Sequence, residues 1–191
     1  MKIQIKQINT FSNYISLSRI LLAIPIYYFV SNIEAIEHSR IILLVLYILA
    51  YITDLLDGYF ARRNNEITEL GKIIDPLADK ILVIMIVTYL YYFNLLPSYY
   101  FWIIILRDLI IFTGGIFVSN KLGKVLPSNY FGKFTVFSIG LFIIAVTIGL
   151  NPENLVYYIL LNGSIILSFG SVISYGLRAF NEIKRNKDGI I

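Results

Sequence analysis

Six apolar runs, separated by short polar stretches, constrain this chain more than any other feature of its sequence. They lie at about 17–31, 41–59, 75–94, 100–118, 131–150 and 155–177. A helix needs roughly 20 apolar residues to cross the hydrocarbon of a bilayer, and lipid-exposed irregular backbone is not tolerated there. With 58% hydrophobic residues and a mean hydropathy of +0.75, the chain is too apolar for an ordinary soluble domain. The sequence therefore predicts an all-α integral membrane protein with six transmembrane helices.

The short connections predict successive antiparallel helices within one domain. We expect residues 1–191 to form this single membrane domain, with a juxtamembrane segment at 1–16, a six-helix bundle at 17–177 and a basic tail at 178–191. Part of the juxtamembrane segment is expected to form a short amphipathic helix at the interface. The chain has no cysteine and one histidine, which excludes disulfides, thiol chemistry and zinc sites built from these residues.

Basic residues fall almost entirely on one side of the predicted topology. With six crossings, both termini and the even-numbered loops share a side, whereas only Arg40 falls on the other side and Arg107 lies within a helix. Cytoplasmic loops of membrane proteins carry an excess of Lys and Arg. Both termini and the connection at 62–72 are therefore predicted to face the cytoplasm. The membrane itself is expected to be a bacterial cytoplasmic membrane. The basic residues on that side are Lys2, Lys6, Arg19, Arg62, Arg63, Lys72, Lys80, Lys121, Lys124, Lys133, Arg178, Lys184, Arg185 and Lys187.

Aromatic residues collect at the opposite boundary of the predicted membrane. Trp and Tyr are enriched at membrane interfaces, so these residues are predicted to form an interfacial belt. They are Tyr27, Tyr28, Tyr91, Tyr92, Tyr99, Tyr100 and Trp102.

Four aspartates stand where two of the apolar runs approach the same cytoplasmic connection. Asp54 and Asp57 are three residues apart, and Asp75 and Asp79 are four apart, so each pair shares one face of its helix. If the two helices are antiparallel neighbours, the four side chains converge. Carboxylates that close repel one another and take up protons unless divalent cations keep them ionised. Oxygen-only ligands favour Mg²⁺ or Mn²⁺, so the sequence predicts that all four aspartates bind divalent metal ions.

The spacing around these aspartates resembles the signature of the CDP-alcohol phosphotransferases. Residues 54–79 fit the pattern D-x2-D-G-x2-A-R-x8-G-x3-D-x3-D at every fixed position. Since residue frequencies are roughly 5–10% per position, a chance match is rare. The resemblance implies transfer of a phosphatidyl group from CDP-diacylglycerol to an alcohol, with release of CMP. The fixed positions are Asp54, Asp57, Gly58, Ala61, Arg62, Gly71, Asp75 and Asp79.

The resemblance also implies roles for the four aspartates. Asp54, Asp57 and Asp75 resemble ligands of two metal ions, which in turn hold the pyrophosphate of the CDP-linked lipid. Asp79 is implied as a shared metal ligand and as the general base that deprotonates the acceptor hydroxyl. Transfer of a phosphoryl-type group depends mainly on positioning and charge neutralisation, which two metal ions supply.

The remaining signature residues are implied to contact CDP. Gly58, Ala61 and Gly71 keep side chains short where the cytosine ring approaches the backbone. The alternative is close helix packing through small residues. Arg62 is implied to bind a phosphate, and its alternative is a charge that only sets orientation.

A second element precedes the first apolar run. Residues 13–19 resemble N-x-[IL]-T-x-x-R, with Ser in place of Thr, so Asn13 and Ser16 are candidates for CDP contact. The alternative for both residues is a helix N-cap.

The second half of the chain carries the candidates for binding the acceptor. Arg107 and Asp108 lie within the fourth apolar run, where ionisable residues are costly and usually functional. Residues 132–135 (Gly-Lys-Phe-Thr) resemble an element that family members carry at the start of the fifth helix. We predict that Arg107, Lys124 and Lys133 bind an acceptor phosphate. The alternatives are a structural ion pair between helices for Arg107 and orientation charges for the lysines.

The resemblance leaves two acceptors open. Glycerol 3-phosphate is expected because a six-helix chain of this length is usual for members that use it. Gly114 and Gly115, however, stand where such members often carry a second arginine. A lipid acceptor such as phosphatidylglycerol is therefore the alternative.

Other classes of protein explain the sequence less well. A cation transporter would use the carboxylates as an ion site, but it leaves the glycines and arginine of the signature unexplained and predicts repeated halves. A structural membrane protein has no use for four acids. The expected partners are CDP-diacylglycerol, a small alcohol or lipid acceptor and membrane lipids, with no nucleic acid. The resemblance alone implies a homodimer.

Overall fold

Helices account for every regular element in the part of the chain that the structure describes. This computed structural model describes residues 18–63, 71–122 and 130–187, with side chains described at 18–56, 80–122 and 130–185. Within those ranges the all-α prediction is confirmed. The helices are α1 (Ala23–Ser31), α2 (Ser39–Arg63), α3 (Gly71–Tyr92), α4 (Ser98–Leu122), α5 (Tyr130–Thr147) and α6 (Leu155–Lys187).

Four of these helices are long and apolar enough to cross a membrane, which confirms an integral membrane protein. Two shorter apolar helices, Ser18–Ser31 and Lys80–Tyr92, complete the set among the described residues. All six predicted runs thus fall on helices, while six crossings stays a prediction. Helix α6 continues to Lys187, so the predicted tail is helical as far as that residue. The four long segments are Ser39–Leu56, Ser98–Leu122, Tyr130–Thr147 and Leu155–Arg185.

The chain divides into two compact units, Met1–Leu96 and Pro97–Ile191. In the first unit, α1 packs against both α2 and α3. Burial of aliphatic side chains stabilises such packing by dispersion, since lipid tails offer no hydrophobic advantage. The buried side chains are Ala23, Ile26 and Val30 on α1, Leu43 and Ala50 on α2, and Leu82, Ile86, Val87 and Leu90 on α3.

In the second unit, α6 packs against both α4 and α5. Three buried rings join these helices: the Phe142 ring centroid lies 4.6 Å from that of Tyr100 and 5.1 Å from that of Tyr157, both edge to face. Edge-to-face pairs of this kind are favourable because the positive ring edge meets the negative ring face. Tyr100 therefore belongs to the core, and its prediction as part of an interfacial belt was wrong. By contrast, Tyr99 and Trp102 are exposed as the belt requires.

The helix ends show why these helices stop where they do. Asn94 follows α3 with φ 57° and Gly149 follows α5 with φ 80°, a left-handed conformation that terminates helices. At the start of α6, Asn154 Oδ1 accepts a hydrogen bond of 2.8 Å from the backbone N–H of Val156. This is an N-cap, which satisfies one of the free donors of the first turn.

Candidate active site

The aspartates of α2 continue its buried face. Leu43 and Ala50 are buried on this helix, seven residues apart. Asp54 follows four residues after Ala50, and Asp57 follows three residues after that. These spacings keep all four positions on one face of a helix with 3.6 residues per turn. The pair of aspartates therefore extends the face that packs inside the first unit toward the C-terminal end of α2.

The aspartates of α3 are likewise in register with the buried face of their helix. Leu82, Ile86 and Leu90 are buried on this helix. Asp79 precedes Leu82 by three residues, and Asp75 precedes Asp79 by four, so both occupy register positions of that face. Since α1 packs against both α2 and α3, the buried faces that carry the aspartates meet the same helix.

The two pairs also lie at matching levels along their helices. Helix α2 ends at Arg63 and α3 begins at Gly71. With a rise of 1.5 Å per residue, the four aspartates stand roughly 6 to 14 Å from these two helix ends. The register thus supports the predicted cluster. The side chains of Asp57, Asp75 and Asp79 lie outside the described ones.

Asp54 is the one predicted ligand whose side chain the structure describes. Its Oδ1 lies 3.1 Å from Nη1 of Arg19, and its side chain is 42% exposed, whereas that of Arg19 is 2% exposed. Our sequence analysis missed this partner, because Arg19 was counted only as an orientation charge. A signal was present, since Arg19 closes the element at 13–19 that begins with Asn13.

The described part of the donor set fits a divalent cation. Asp54 offers an accessible carboxylate oxygen, the kind of ligand that Mg²⁺ and Mn²⁺ favour. Among the described residues, no group of three or more His, Cys, Asp or Glu lies together. Three of the four predicted ligands have side chains outside that part of the chain.

The predicted CDP-binding residues can be placed on the backbone only. Gly58, Ala61 and Arg62 belong to the last turns of α2, and Gly71 is the first residue of α3. Their side chains are outside the described ones. Asn13 and Ser16 lie outside the described residues altogether, as does the predicted interfacial helix.

Among the predicted acceptor residues, Arg107 has the most defined surroundings. It is 8% exposed, its Nε donates a 3.1 Å hydrogen bond to Ser171 Oγ, and its Nη1 pairs with the Asp108 carboxylate. A paired and hydrogen-bonded guanidinium avoids most of the cost of a buried charge. This ion pair joins neighbouring residues of α4, whereas the alternative interpretation was an ion pair between helices. The contact of Arg107 with another helix is its hydrogen bond to Ser171, and a guanidinium has further donors for an anion.

The two lysines differ from Arg107. Lys133 is exposed in the first turn of α5, with its Nζ 5.9 Å from the centroid of the Tyr130 ring. This distance allows a cation–π contact. Lys124 lies outside the described residues.

Thr135, the last residue of the Gly-Lys-Phe-Thr element, is a packing residue. Its hydroxyl lies 2.9 Å from the carbonyl oxygen of Phe131 and 3.1 Å from that of Leu167, and the residue is fully buried. The contact with Leu167 links α5 to α6.

A tyrosine occupies the space beside the two glycines of α4. A Cβ atom added at Gly115 would lie 3.1 Å from the Tyr175 hydroxyl, and one added at Gly114 would lie 3.6 Å from the same ring. The 3.1 Å distance is tighter than ordinary van der Waals contact. Tyr175 of α6 therefore occupies the space beside Gly114 and Gly115, the positions at which related chains often carry a second arginine.

The structure is that of an integral membrane protein, and the four signature aspartates belong to α2 and α3. Residues 9–170 match the family model described as CDP-alcohol phosphatidyltransferase. The chain belongs to the CDP-alcohol phosphatidyltransferase family, as the signature predicted. Members of this family generally depend on a divalent metal ion.

The curated relatives include proteins with two kinds of name. A protein of Aquifex aeolicus named CDP-diacylglycerol–glycerol-3-phosphate 3-phosphatidyltransferase is 35% identical over 178 residues, which cover 90% of this chain and 96% of that protein. A Bacillus subtilis protein of the same name is 39% identical over 100 residues, about half of each chain at 52% and 51%. A human cardiolipin synthase (CMP-forming) is 38% identical over 113 residues, which cover 59% of this chain and 36% of that protein.

Proposed function

We propose that this chain transfers a phosphatidyl group from CDP-diacylglycerol to an alcohol and releases CMP. The observation that carries the proposal is the complete signature, with its aspartates at register positions of the buried faces of α2 and α3. Family membership supports the same activity, as do the names of the relatives. Family membership also favours a transferase over a cation transporter, the alternative that the carboxylates alone left open.

The acceptor we propose first is glycerol 3-phosphate, which makes the product phosphatidylglycerophosphate. The Aquifex relative, which this chain matches over 96% of its length, is named for that acceptor. A phosphorylated acceptor needs cationic partners, and Arg107, Lys124 and Lys133 are proposed for this role. Arg107 suits it because a guanidinium forms paired hydrogen bonds with phosphate oxygens.

Phosphatidylglycerol is a second candidate acceptor, as in a cardiolipin synthase. The Tyr175 hydroxyl beside Gly115 favours it, because a neutral group occupies the space where a second cation was sought. The match to the human cardiolipin synthase points the same way.

The proposed chemistry assigns each aspartate a task. Two divalent cations, Mg²⁺ or Mn²⁺, held by Asp54, Asp57, Asp75 and Asp79, would neutralise the charge that develops on the phosphate. Asp79 takes the proton of the acceptor hydroxyl as general base. The acceptor oxygen then forms a bond to the lipid-bearing phosphorus, the pyrophosphate bond breaks, and CMP leaves.

The nucleotide is proposed to bind beside the aspartates. Gly58, Ala61 and Gly71 leave room for the cytosine ring, and Arg62 pairs with a phosphate. Asn13 and Ser16 are proposed as further contacts from the N-terminal element.

We further propose that residues 1–191 act as one membrane domain and as a homodimer in a bacterial cytoplasmic membrane. The charge asymmetry supports cytoplasmic termini and a cytoplasmic active site. The chain lacks cysteine, so single cysteines at Asn64 and Ser98 can be labelled in intact cells. Labelling of both from the same side would refute the alternating topology.

The decisive experiment for the reaction is CMP release from CDP-diacylglycerol with a panel of acceptors. Glycerol 3-phosphate, phosphatidylglycerol, inositol phosphate and serine are supplied separately to the purified protein. Release with glycerol 3-phosphate alone supports the first acceptor, and release with phosphatidylglycerol alone supports the second. No CMP release with any acceptor contradicts the proposed function.

A further inference from the structure

Arg19 is a buried cation within the first unit. It is 1% exposed as a whole residue, and Nη1 lies 3.1 Å from Oδ1 of Asp54. Burying a guanidinium is costly unless a carboxylate and hydrogen-bond acceptors compensate it. A buried arginine in a small membrane protein therefore calls for a reason beyond packing.

The helical register explains how Arg19 comes to be buried. Arg19, Ala23, Ile26 and Val30 are all buried, with spacings of four, three and four residues. These spacings place them on one face of a helix. Arg19 is thus the first residue of the buried face by which α1 and the turn before it pack within the unit.

Asp54 meets this arginine from the buried face of α2. Its side chain is 42% exposed, although its partner is almost fully enclosed. The ion pair is therefore one-sided: protein covers the cation, while the carboxylate has an open side. A carboxylate has two oxygens, so a guanidinium at Oδ1 leaves Oδ2 able to bind a second cation.

We propose that Arg19 is a positioning residue for the metal ligand Asp54. The enclosed guanidinium fixes Oδ1 and thereby the rotation of the carboxylate, so that Oδ2 is presented to a divalent cation. This inference rests on the proposed function, in which Asp54 binds metal. An arginine suits the task because it stays charged when enclosed, whereas the ammonium of a lysine is a more strongly hydrated charge on a flexible stem.

A second ion pair of the same unit serves as a matched comparison. Arg40 pairs with Glu34 through Nη2 and Oε1, with side chains 31% and 79% exposed. Exposed pairs of this kind contribute little, because solvent screens them and both side chains lose freedom. Arg40 is not part of any site proposed above.

The test measures Mn²⁺ binding to the purified full-length protein by electron paramagnetic resonance, without substrate. Groups that orient metal ligands typically change metal affinity when removed, so Arg19→Met should weaken Mn²⁺ binding by about tenfold to a hundredfold. Arg19→Lys should lose less Mn²⁺ affinity than Arg19→Met, and the Mn²⁺ affinity of Arg40→Met should equal that of the unaltered protein. In an Asp54→Asn background, Arg19→Met should have little further effect, because the two residues act as one unit.

The direction of the change separates positioning from simple charge. Removing a cation beside a carboxylate strengthens its Coulombic attraction for a divalent ion. Unchanged or tighter Mn²⁺ binding by folded Arg19→Met would therefore overturn the proposal. If that variant does not fold, Arg19→Lys decides, and an affinity equal to that of the unaltered protein contradicts a positioning role. Absence of Mn²⁺ binding in the unaltered protein would instead refute the metal site of the proposed function.

Discussion

The two compact units place their polar side chains differently. In the first unit, Asp54 keeps an open side at 42% exposure and lies near the end of a helix. In the second, a row of hydroxyls is buried on one face of α6: Ser164, Ser168 and Ser171 are at most 2% exposed. Their spacings of four and three residues form a stripe along the helix.

This difference indicates what the polar residues do in each unit. The stripe on α6 is used for packing against α4, since Ser164 lies 2.8 Å from the Tyr100 hydroxyl and Ser171 accepts from Arg107. Hydrogen bonds between membrane helices stabilise their association. Asp54 also makes an interhelical contact, its ion pair with Arg19, but its carboxylate keeps an open side that is available for chemistry. Substitution of Asp54 should therefore affect the reaction, and substitution of the buried serines of α6 should affect stability.

The largest expected effect belongs to Asp79. Asp79→Asn should lower turnover by about 10²–10⁴, because proton removal is needed only on the way to the transition state. CDP-diacylglycerol binding should largely survive, whereas Asp54→Asn should weaken it. Turnover and binding are measured at saturating Mg²⁺, which compensates for a weakened ligand. Near-normal turnover of Asp79→Asn under those conditions would place the base elsewhere.

Arg107 is the residue of the second unit that we expect to affect the reaction and not only stability. Loss of a charged hydrogen bond costs about 1.5–3 kcal/mol, so Arg107→Gln should raise KM for glycerol 3-phosphate roughly tenfold to a hundredfold. KM for CDP-diacylglycerol should stay unchanged. Ser171→Ala is the control, because it removes one hydrogen bond of Arg107 and keeps the charge. If Arg107→Gln lowers thermal stability and leaves both KM values unchanged, Arg107 is only a structural ion pair.

Two glycines of α6 provide a matched pair for packing. A Cβ at Gly170 would lie 2.8 Å from the Phe131 ring, whereas one at Gly163 would meet nothing within 4 Å. Gly170→Ala should lower stability by about 1–3 kcal/mol through overpacking. Gly163→Ala should leave it unchanged or slightly higher, because alanine favours the helix. Thermal unfolding in detergent compares the two variants, and equal values would show that the α5–α6 contact is loose.

The smallest expected effect is at Tyr100. Tyr100→Phe removes the hydrogen bond with Ser164 and keeps the ring packed against Phe142. Such bonds between membrane helices contribute about 0.6 kcal/mol on average. The free energy of unfolding should therefore fall only slightly, and turnover should not change. Exposed Tyr99, as Tyr99→Phe, is the control. A marked loss of turnover in Tyr100→Phe alone would give this hydroxyl a role in the reaction.

Apolar runs alone predicted the helices, because each run must satisfy its backbone hydrogen bonds within lipid. The positions of the aspartates on their helices also followed from spacing. The burial of individual aromatic side chains could not be predicted from the sequence, since composition places Tyr99 and Tyr100 alike at a boundary. The structure separates them by the ring packing and the Ser164 contact of Tyr100.

The partner of Asp54 could not be derived from local pattern. Arg19 and Asp54 are distant in sequence and meet only because α1 packs on α2. The extension of α6 to Lys187 was missed for another reason: its last turns are polar, so hydropathy ends the run early. The roles of the aspartates and of the CDP-binding residues stay predictions.

The central claim is that aspartates of α2 and α3 act through divalent cations. It is tested most directly by CMP release from CDP-diacylglycerol in excess chelator, followed by addition of Mg²⁺ or Mn²⁺. The account predicts that release stops in chelator and returns with either ion, because the proposed cluster of carboxylates needs cations to stay ionised and to bind a pyrophosphate. Full release in excess chelator would contradict it.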